Sequence, residues 1–335
     1  MPSAAPVPRR FASGDPGAVF RAALEALDAG RTPVLAVVVA TEGSTYATTG
    51  TLALFDDDAQ LGWISGGCLE PEIARTAMHA AGERALAWLD LDTTDDAAML
   101  MGSATGCRGR QLLALVPLAA LKRVEEAMRT WLQGDRSVRV WLHADGGIRC
   151  RLDGQAWSWT LPTLSSPPEP RDHALVLHRP PEALLLGAGP ETPVLVPLLR
   201  QLGWQLTVVE RRPRWRAAVA PDTRVLDLHP DDAVAARAQA DVALVMHHGF
   251  EADREALEAL AASRIPFIGL LGPQRRRDDL FKLLRPADRD ALAQRLHAPI
   301  GVPGCGRGPE AIALSIATQL QQWRGAQAAL LDRPA

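Results

Sequence analysis

Of the four cysteines in this chain, Cys68 sits where chemistry is easiest to build. The run Ser65-Gly66-Gly67-Cys68-Leu69-Glu70 falls between a predicted strand and a predicted helix. Two glycines let backbone N–H groups converge on a ligand, and a helix start favours anions. A thiol beside such a cradle suits a phosphate or oxoanion held next to a thiolate. The alternative is a Gly-rich turn in which Cys68 packs as a small hydrophobe. A second glycine-flanked thiol, Thr105-Gly106-Cys107-Arg108-Gly109, shares that pocket if its loop folds against the first, with Arg108 or Arg110 adding positive charge. Glu42-Gly43-Ser44-Thr45 follows a buried strand at its carboxyl end, where its polar groups either meet a ligand or cap the turn. Cys150 and Cys305 are isolated, and no two cysteines have CxxC spacing, so each thiol is read singly.

The second half carries a different glycine turn. Leu184 to Gly189 reads LLLGAG, a strand running into Gly187-Ala188-Gly189 and a helix, with Glu210 at the end of the next strand. That is the dinucleotide-type phosphate turn, and Glu210 stands where an acidic residue reaches a ribose hydroxyl. Pro190 and Thr192 depart from the fingerprint, so nucleotide binding is expected to be weak or absent. Val242 to Met246 ends in His247-His248-Gly249, with Asp253 at the following helix start. Adjacent residues on a strand point oppositely, so one histidine is expected to face a pocket, His247 as ligand or proton donor, with Asp253 either orienting one ring or, as favoured, capping the helix. Arg275, Arg276 and Arg277 are either a phosphate site or a solvated charge run.

The elements that position these residues follow from periodicity. Asp15-Pro16 starts a helix whose apolar positions Val19, Phe20, Ala23, Leu24 and Leu27 repeat at helical spacing to Gly30. Strands are expected at 34–40, 52–55, 61–65, 112–116, 138–142, 148–152 and 156–161, with helices at 71–88 and 121–132. Beyond residue 183, short apolar runs at 183–186, 205–209, 224–227, 242–246 and 267–271 alternate with helices at 190–202, 213–220, 230–239 and 252–263; more helix follows at 275–296 and 309–325. The expected fold class is therefore α/β, a mixed N-terminal domain followed by a Rossmann-like doubly wound parallel sheet. The Pro/Ser-rich stretch LPTLSSPPEPRD places the boundary: a first domain over 1–162, a linker at 163–172 and a second domain over 173–335.

Composition narrows the function classes. With 335 residues, 36 Lys+Arg against 39 Asp+Glu and a net charge of −3, the chain lacks the basic excess of a nucleic-acid binder. Lys122 and Lys282 are the only lysines, so Arg-rich spots reflect a compositional bias. No apolar run is long enough for a membrane span and the start lacks a signal-peptide core, so a cytoplasmic protein is expected. Nine tryptophans, Trp63 and Trp204 among them in apolar settings, are taken as a pointer to a homodimer.

The order of motifs resembles the xanthine dehydrogenase accessory factor family, also called the XdhC/CoxI family. The matching runs are VVATEGST, SGGCLEPEIARTA, TGCRG, LLLGAG with TVVERRP, MHHGFEADREAL, FIGLLGPQRRR, and APIG with PEAIALSIA, spanning roughly residues 34–320. The resemblance implies an N-terminal family domain carrying Cys68, a Rossmann domain, and a non-catalytic maturation factor. Such a factor binds the molybdenum cofactor in its molybdopterin form, supports its sulfuration and hands it to a molybdenum hydroxylase client, with a cysteine desulfurase as a further partner. Residues that the resemblance places at the cofactor are Glu42, Ser44, Ser65, Gly66, Gly67, Cys68, Glu70, Gly106, Cys107, Gly187, Gly189, Glu210 and His247, with Cys68 as the contact for molybdenum or sulfur. Two other readings stand beside it: an NAD(P)-dependent oxidoreductase working through the second domain, and a thiol-based sulfur carrier using Cys68 or Cys107.

Overall fold

The apolar run after Pro33 becomes a ten-residue strand, β2 (Val34–Gly43), whose first six residues are buried. The computed structural model describes residues 7–10, 15–57, 59–94, 108–134, 136–169, 171–219 and 223–331. It divides into two units, Met1–Pro180 and Pro181–Ala335.

In the first unit β2 pairs antiparallel with β3 (Leu52–Asp56) and β6 (Gly109–Pro117). Register sets Val34 against Phe55 and Ala36 against Ala53, and one residue on, Leu35 against Leu54 and Val37 against Leu52. Side chains alternate with period two, so these pairs fill opposite faces, and both need a cover. One face packs on α2 (Glu70–Glu83) through Ile73, Ala74 and Ala77. The other meets α1 (Pro16–Asp28) through Val19, Phe20 and Ala23. Asp15 caps α1 as expected, its carboxylate accepting from the N–H groups of Gly17 and Ala18 at 3.3 and 3.1 Å. Strands β1 (Val7–Arg10), β4 (Ala59–Leu61) and β5 (Ala87–Asp92) complete the sheet in the order β1-β4-β3-β2-β6-β5.

A helix α3 (Val124–Gln133) and an antiparallel sheet close the same core. Trp131 of α3 stands edge-on to Phe20, ring centroids 5.0 Å apart. The sheet, ordered β10-β7-β8-β9, consists of β7 (Val138–Leu142), β8 (Gly147–Leu152), β9 (Gln155–Thr160) and β10 (His173–Leu177).

Three expectations need correction here. The helix expected over 71–88 stops at Glu83, where Arg84 turns left-handed at φ 53°; Ala87–Asp92 instead pairs residue for residue with β6. Sheet pairing there outweighs a helical pattern that is only locally plausible. The expected linker is not one: Leu86 N–H donates to Pro162 O at 2.8 Å, Leu164 N–H to Leu86 O at 2.9 Å, and Ser165 Oγ bridges the N–H and C=O of Trp88. Residues 173–177, placed in the second domain from sequence, form β10 against β7, so the boundary moves to Pro180-Pro181.

The second unit is a six-stranded, all-parallel sheet in the order β13-β12-β11-β14-β15-β16. In chain order it runs β11 (Glu182–Leu186), α4 (Thr192–Gln201), β12 (Gln205–Val209), α5 (Pro213–Arg216), β13 (Arg224–Leu226), α6 (Pro230–Ala236), β14 (Val242–Val245), α7 (Phe250–Ala262) and β15 (Phe267–Leu270). Then follow α8 (Gln274–Leu283), α9 (Pro286–Leu292), β16 (Leu296–His297) and α10 (Pro309–Leu331). This is the doubly wound Rossmann arrangement that the alternation predicts. Ala183 and Leu185 pack on Leu195, Leu199 and, from α10, Ile316; Leu184 and Leu186 pack on Ala256, Leu257 and Leu260 of α7. Within 275–296 the helical pattern is broken before Pro286, whose ring disfavours helix at the preceding residue. Trp204, read as an interface marker, is buried in this core with its indole N–H donating to Gln321 Oε1 at 2.9 Å. It therefore lends nothing to a dimer. Among the described residues, no helix is long and apolar enough to cross a membrane.

Candidate functional site

The Cys68 loop is held from below by two buried polar side chains. Glu70, the first residue of α2, turns its carboxylate back under the loop, where Oε1 accepts from the N–H groups of Ile64 and Ser65 at 3.2 and 2.8 Å. Ser65 Oγ donates to the other carboxylate oxygen and accepts from Gly67 N–H at 3.2 Å and Leu69 N–H at 3.0 Å. Both side chains are only 3% exposed. Ser65 and Glu70, expected to touch a ligand, are thus spent on the loop itself: burial leaves no room for unpaired polar atoms, and they pair with each other. Their role is to position.

What the loop presents outward is Gly66, Gly67 and Cys68, all exposed. Gly67 sits at φ 103°, a left-handed conformation that favours glycine, while a Cβ on Gly66 would meet nothing within 4 Å. The N–H groups of Gly66 and Cys68 have no acceptor among the described residues. They lie just ahead of the α2 N-terminus, so unpaired donors and helix dipole act in the same sense. Cys68 Sγ lies 3.6 Å from Ser65 Oγ. Burial pushes the Cys150 thiol up to about 12, which makes it inert at neutral pH, whereas Cys68 is open to solvent.

A shallow depression beside Cys68 is lined by Thr45, Ser65, Leu69, Thr93, Gly109 and Gln111, with about 10 Å3 of free space. That is room for a single small group. Of the loop after β2, Thr45 reaches it; Ser44 is exposed and its N–H donates to Arg108 O at 3.0 Å. Glu42 lines a separate depression with Asp90, Arg110 and Glu169, and Arg110 is engaged by Asp90. Glu42 and Arg110 are therefore not gathered at Cys68, because the strand carries them past it. Gly106 and Cys107 lie outside the described residues. Gly109 is required where it stands: a Cβ there would fall 2.6 Å from both Glu42 O and Ser44 O.

The turn after β11 is built differently. Gly187 N–H donates to Val209 O at 2.8 Å, Ala188 N–H to Glu210 Oε2 at 2.7 Å, and Gly189 N–H to Thr192 Oγ1 at 2.9 Å. Arg212 lies across the turn, donating to both oxygens of Glu210, to Ala188 O and to His247 O. Burial raises the Glu210 carboxyl, but the hydrogen bonds from Arg212 and Ala188 prevail and hold it below the usual carboxylate range. Glu210, expected at a ribose, is locked into the turn it was expected to serve from a distance. His248, at φ 59°, covers Gly189 so closely that a Cβ there would sit 2.5 Å from its Nε2, and it pairs with Glu191 at 3.3 Å. The phosphate-binding donors of Gly187 and Gly189 are taken by the chain itself.

His247 is mostly buried with Nδ1 3.2 Å from Asp253 Oδ1, and Arg276 holds the other oxygen of Asp253 at 2.6 Å. Asp253 does not cap α7, whose N-cap is Gly249; it ties the loop after β14 to α8. Arg275 and Arg277 face Asp279 and Asp278 on the same helix. Among the described residues, no three His, Cys, Asp or Glu side chains gather as a metal site. Sequence reasoning missed Arg212, Thr192 as a hydroxyl cap, and Gln111. Gln111 alone left a signal, a polar residue in phase with the buried Leu113 and Leu115.

Comparison with known proteins agrees with this architecture. The family model described as XdhC and CoxI family matches residues 17–89, and that described as XdhC Rossmann domain matches residues 184–320. The chain is 26% identical over 315 residues to a probable xanthine dehydrogenase subunit from Bacillus subtilis (strain 168), covering 87% of this chain and 93% of that one. It superposes with a TM-score of 0.76 on the crystal structure of a xanthine dehydrogenase from Bacillus halodurans, 25% identical, covering 92% of this chain and 96% of that one.

Proposed function

The chain belongs to the XdhC and CoxI family, and from that premise we propose that it is a maturation factor for a xanthine dehydrogenase-type molybdenum hydroxylase. Its cargo is the molybdenum cofactor, held at the Cys68 loop for sulfuration and insertion into the client. One observation carries the reading: an exposed thiol flanked by the N–H groups of Gly66 and Cys68, which have no acceptor among the described residues, on a loop pinned by Ser65 and Glu70. A phosphate-bearing pterin matches those donors, and sulfur suits molybdenum. The small depression admits one group of such a ligand, so the ring system lies over the open loop. When bound, the cofactor supplies the metal centre of the client; this chain's residues hold and orient it. The exposure of Cys68 also leaves its sulfur within reach of a sulfur-donating partner such as a cysteine desulfurase. A dehydrogenase reading is disfavoured by the filled turn at Gly187-Ala188-Gly189.

Cys68→Ser tests the proposal. Serine keeps the size and the turn and loses the soft ligand. Expressed in a molybdopterin-producing host, the folded variant is expected to lose cofactor content per monomer and the activity of a coexpressed client, with its melting temperature unchanged. Full cofactor content and full client activity would overturn a thiol-centred role.

A further inference from the structure

Gln111 occupies a position where the packing favours an apolar residue. On β6 it is in phase with Leu113 and Leu115, which face α2 in the core, and directly across from it on β5 stands Leu91. Gln111 is 5% exposed, and its side-chain carbonyl oxygen, Oε1, is buried with no donor among the described residues. A buried carbonyl in that state is costly unless something satisfies it.

The residue lines the depression beside Cys68, where the hydroxyls of Ser65, Thr45 and Thr93 are already engaged. Ser65 Oγ is bound to Glu70, Thr45 Oγ1 donates to Ala47 O at 2.8 Å, and Thr93 Oγ1 donates to Gly109 O at 2.7 Å. Gln111 Oε1 is therefore an acceptor in want of a donor, next to a loop with two N–H donors in want of an acceptor. With about 10 Å3 of free space, the depression admits the tip of a ligand and not a ring.

We infer that Gln111 is a specificity-determining residue of the Cys68 site, its Oε1 accepting a hydrogen bond from an N–H group of the bound ligand. The site then selects for a molecule that joins an anionic group, for Gly66 and Cys68, to a lactam or amino edge, for Gln111. A pterin phosphate has both. The inference rests on the reading of the Cys68 loop as the cofactor site and adds the group that distinguishes a pterin from a bare anion.

The test uses the full chain, titrated separately with 6-hydroxymethylpterin phosphate and with inorganic phosphate. Gln111→Met, of similar length and without an acceptor, is expected to weaken pterin phosphate binding about tenfold, the worth of one hydrogen bond. It leaves the affinity for inorganic phosphate unchanged. Its melting temperature without ligand stays level or rises, because no hydrogen bond is lost. Gln111→Glu keeps an acceptor and is expected to retain pterin phosphate binding. Equal pterin phosphate affinity in Gln111→Met and the wild type would show that water, not ligand, meets Oε1, overturning the inference while the Cys68 reading stands. A parallel loss of both probes and of thermal stability would make Gln111 merely structural and overturn it too. Failure of the wild type to bind either probe would overturn the Cys68 reading and this inference with it.

Discussion

Gly66-Gly67-Cys68 and Gly187-Ala188-Gly189 have the same local grammar, two glycines ahead of a helix start, and opposite fates, although the strand before the first ends at Leu61 and not at residue 65 as expected. In the first the three residues are exposed and two backbone N–H groups have no acceptor among the described residues. In the second all three are buried and every N–H is taken, by Val209 O, Glu210 Oε2 and Thr192 Oγ1. The carboxylates make the difference. Glu70 reaches back beneath its loop and binds the residues before the glycines, whereas Glu210 arrives from the neighbouring strand and binds within the turn. A glycine turn thus becomes an anion site only where its donors are left over.

The largest expected effect comes from adding a methyl group to each turn. Gly187 has φ 93°, and a Cβ there would fall 2.6 Å from both the backbone N and the Cα of His247. Gly187→Ala should destabilise the second unit by about 2–5 kcal/mol. Gly66→Ala, which meets open space, should change stability by less than ~1 kcal/mol. Thermal denaturation of both variants checks this; similar melting temperatures would dissolve the contrast.

Removing each carboxylate comes next. Glu70→Ala leaves the buried N–H groups of Ile64 and Ser65 without their acceptor, a loss of about 2–3 kcal/mol, and should speed the reaction of Cys68 with a disulfide reagent by loosening the loop. Glu210→Ala frees the Ala188 N–H and the Arg212 guanidinium, so calorimetry should detect one more phosphate site than in the wild type. Wild-type protein is expected to give no micromolar binding of NAD, NADP or ATP. Such binding would break the comparison outright and raise the dehydrogenase reading.

The smallest effect is in pH dependence. Glu210 is held below its ordinary value of 4.5 in the folded chain, so its contribution to stability is complete above that value and is lost as pH falls through the lowered one. Glu191, lowered by His248 against the opposing effect of burial, acts with the same sign. Melting temperature should therefore fall as pH drops from about 5 towards 3. Glu210→Gln should make that fall shallower; an unchanged slope would show that the carboxylate in the turn is no better stabilised than in the unfolded chain.

Local pattern was enough for much of the fold. A seven-residue apolar run announced β2, Asp15-Pro16 the start of α1, and strand and helix alternation the doubly wound second unit. Elements whose reason for existing lies far along the chain escaped it. Ala87–Asp92 is a strand because β6 is there to pair with it, and 162–165 is ordered because Leu86 and Trp88 offer hydrogen bonds from some 77 residues away. No window of sequence contains both partners.

The same division runs through the candidate site. Residue order alone determined that Gly66, Gly67 and Cys68 precede a helix, because a turn, a thiol and a helix start are all local features. Tertiary structure alone decided which donors remain free. Whether a backbone N–H is available to a ligand depends on which acceptor comes within about 3 Å of it, and that acceptor arrives on another element. For Gly66 and Cys68 none arrives among the described residues; for Ala188 it is Glu210 on the strand next door. Gln111 follows the same rule, since its place in β6 is local while its unsatisfied carbonyl beside Cys68 is a product of how α2 and the sheet close on one another.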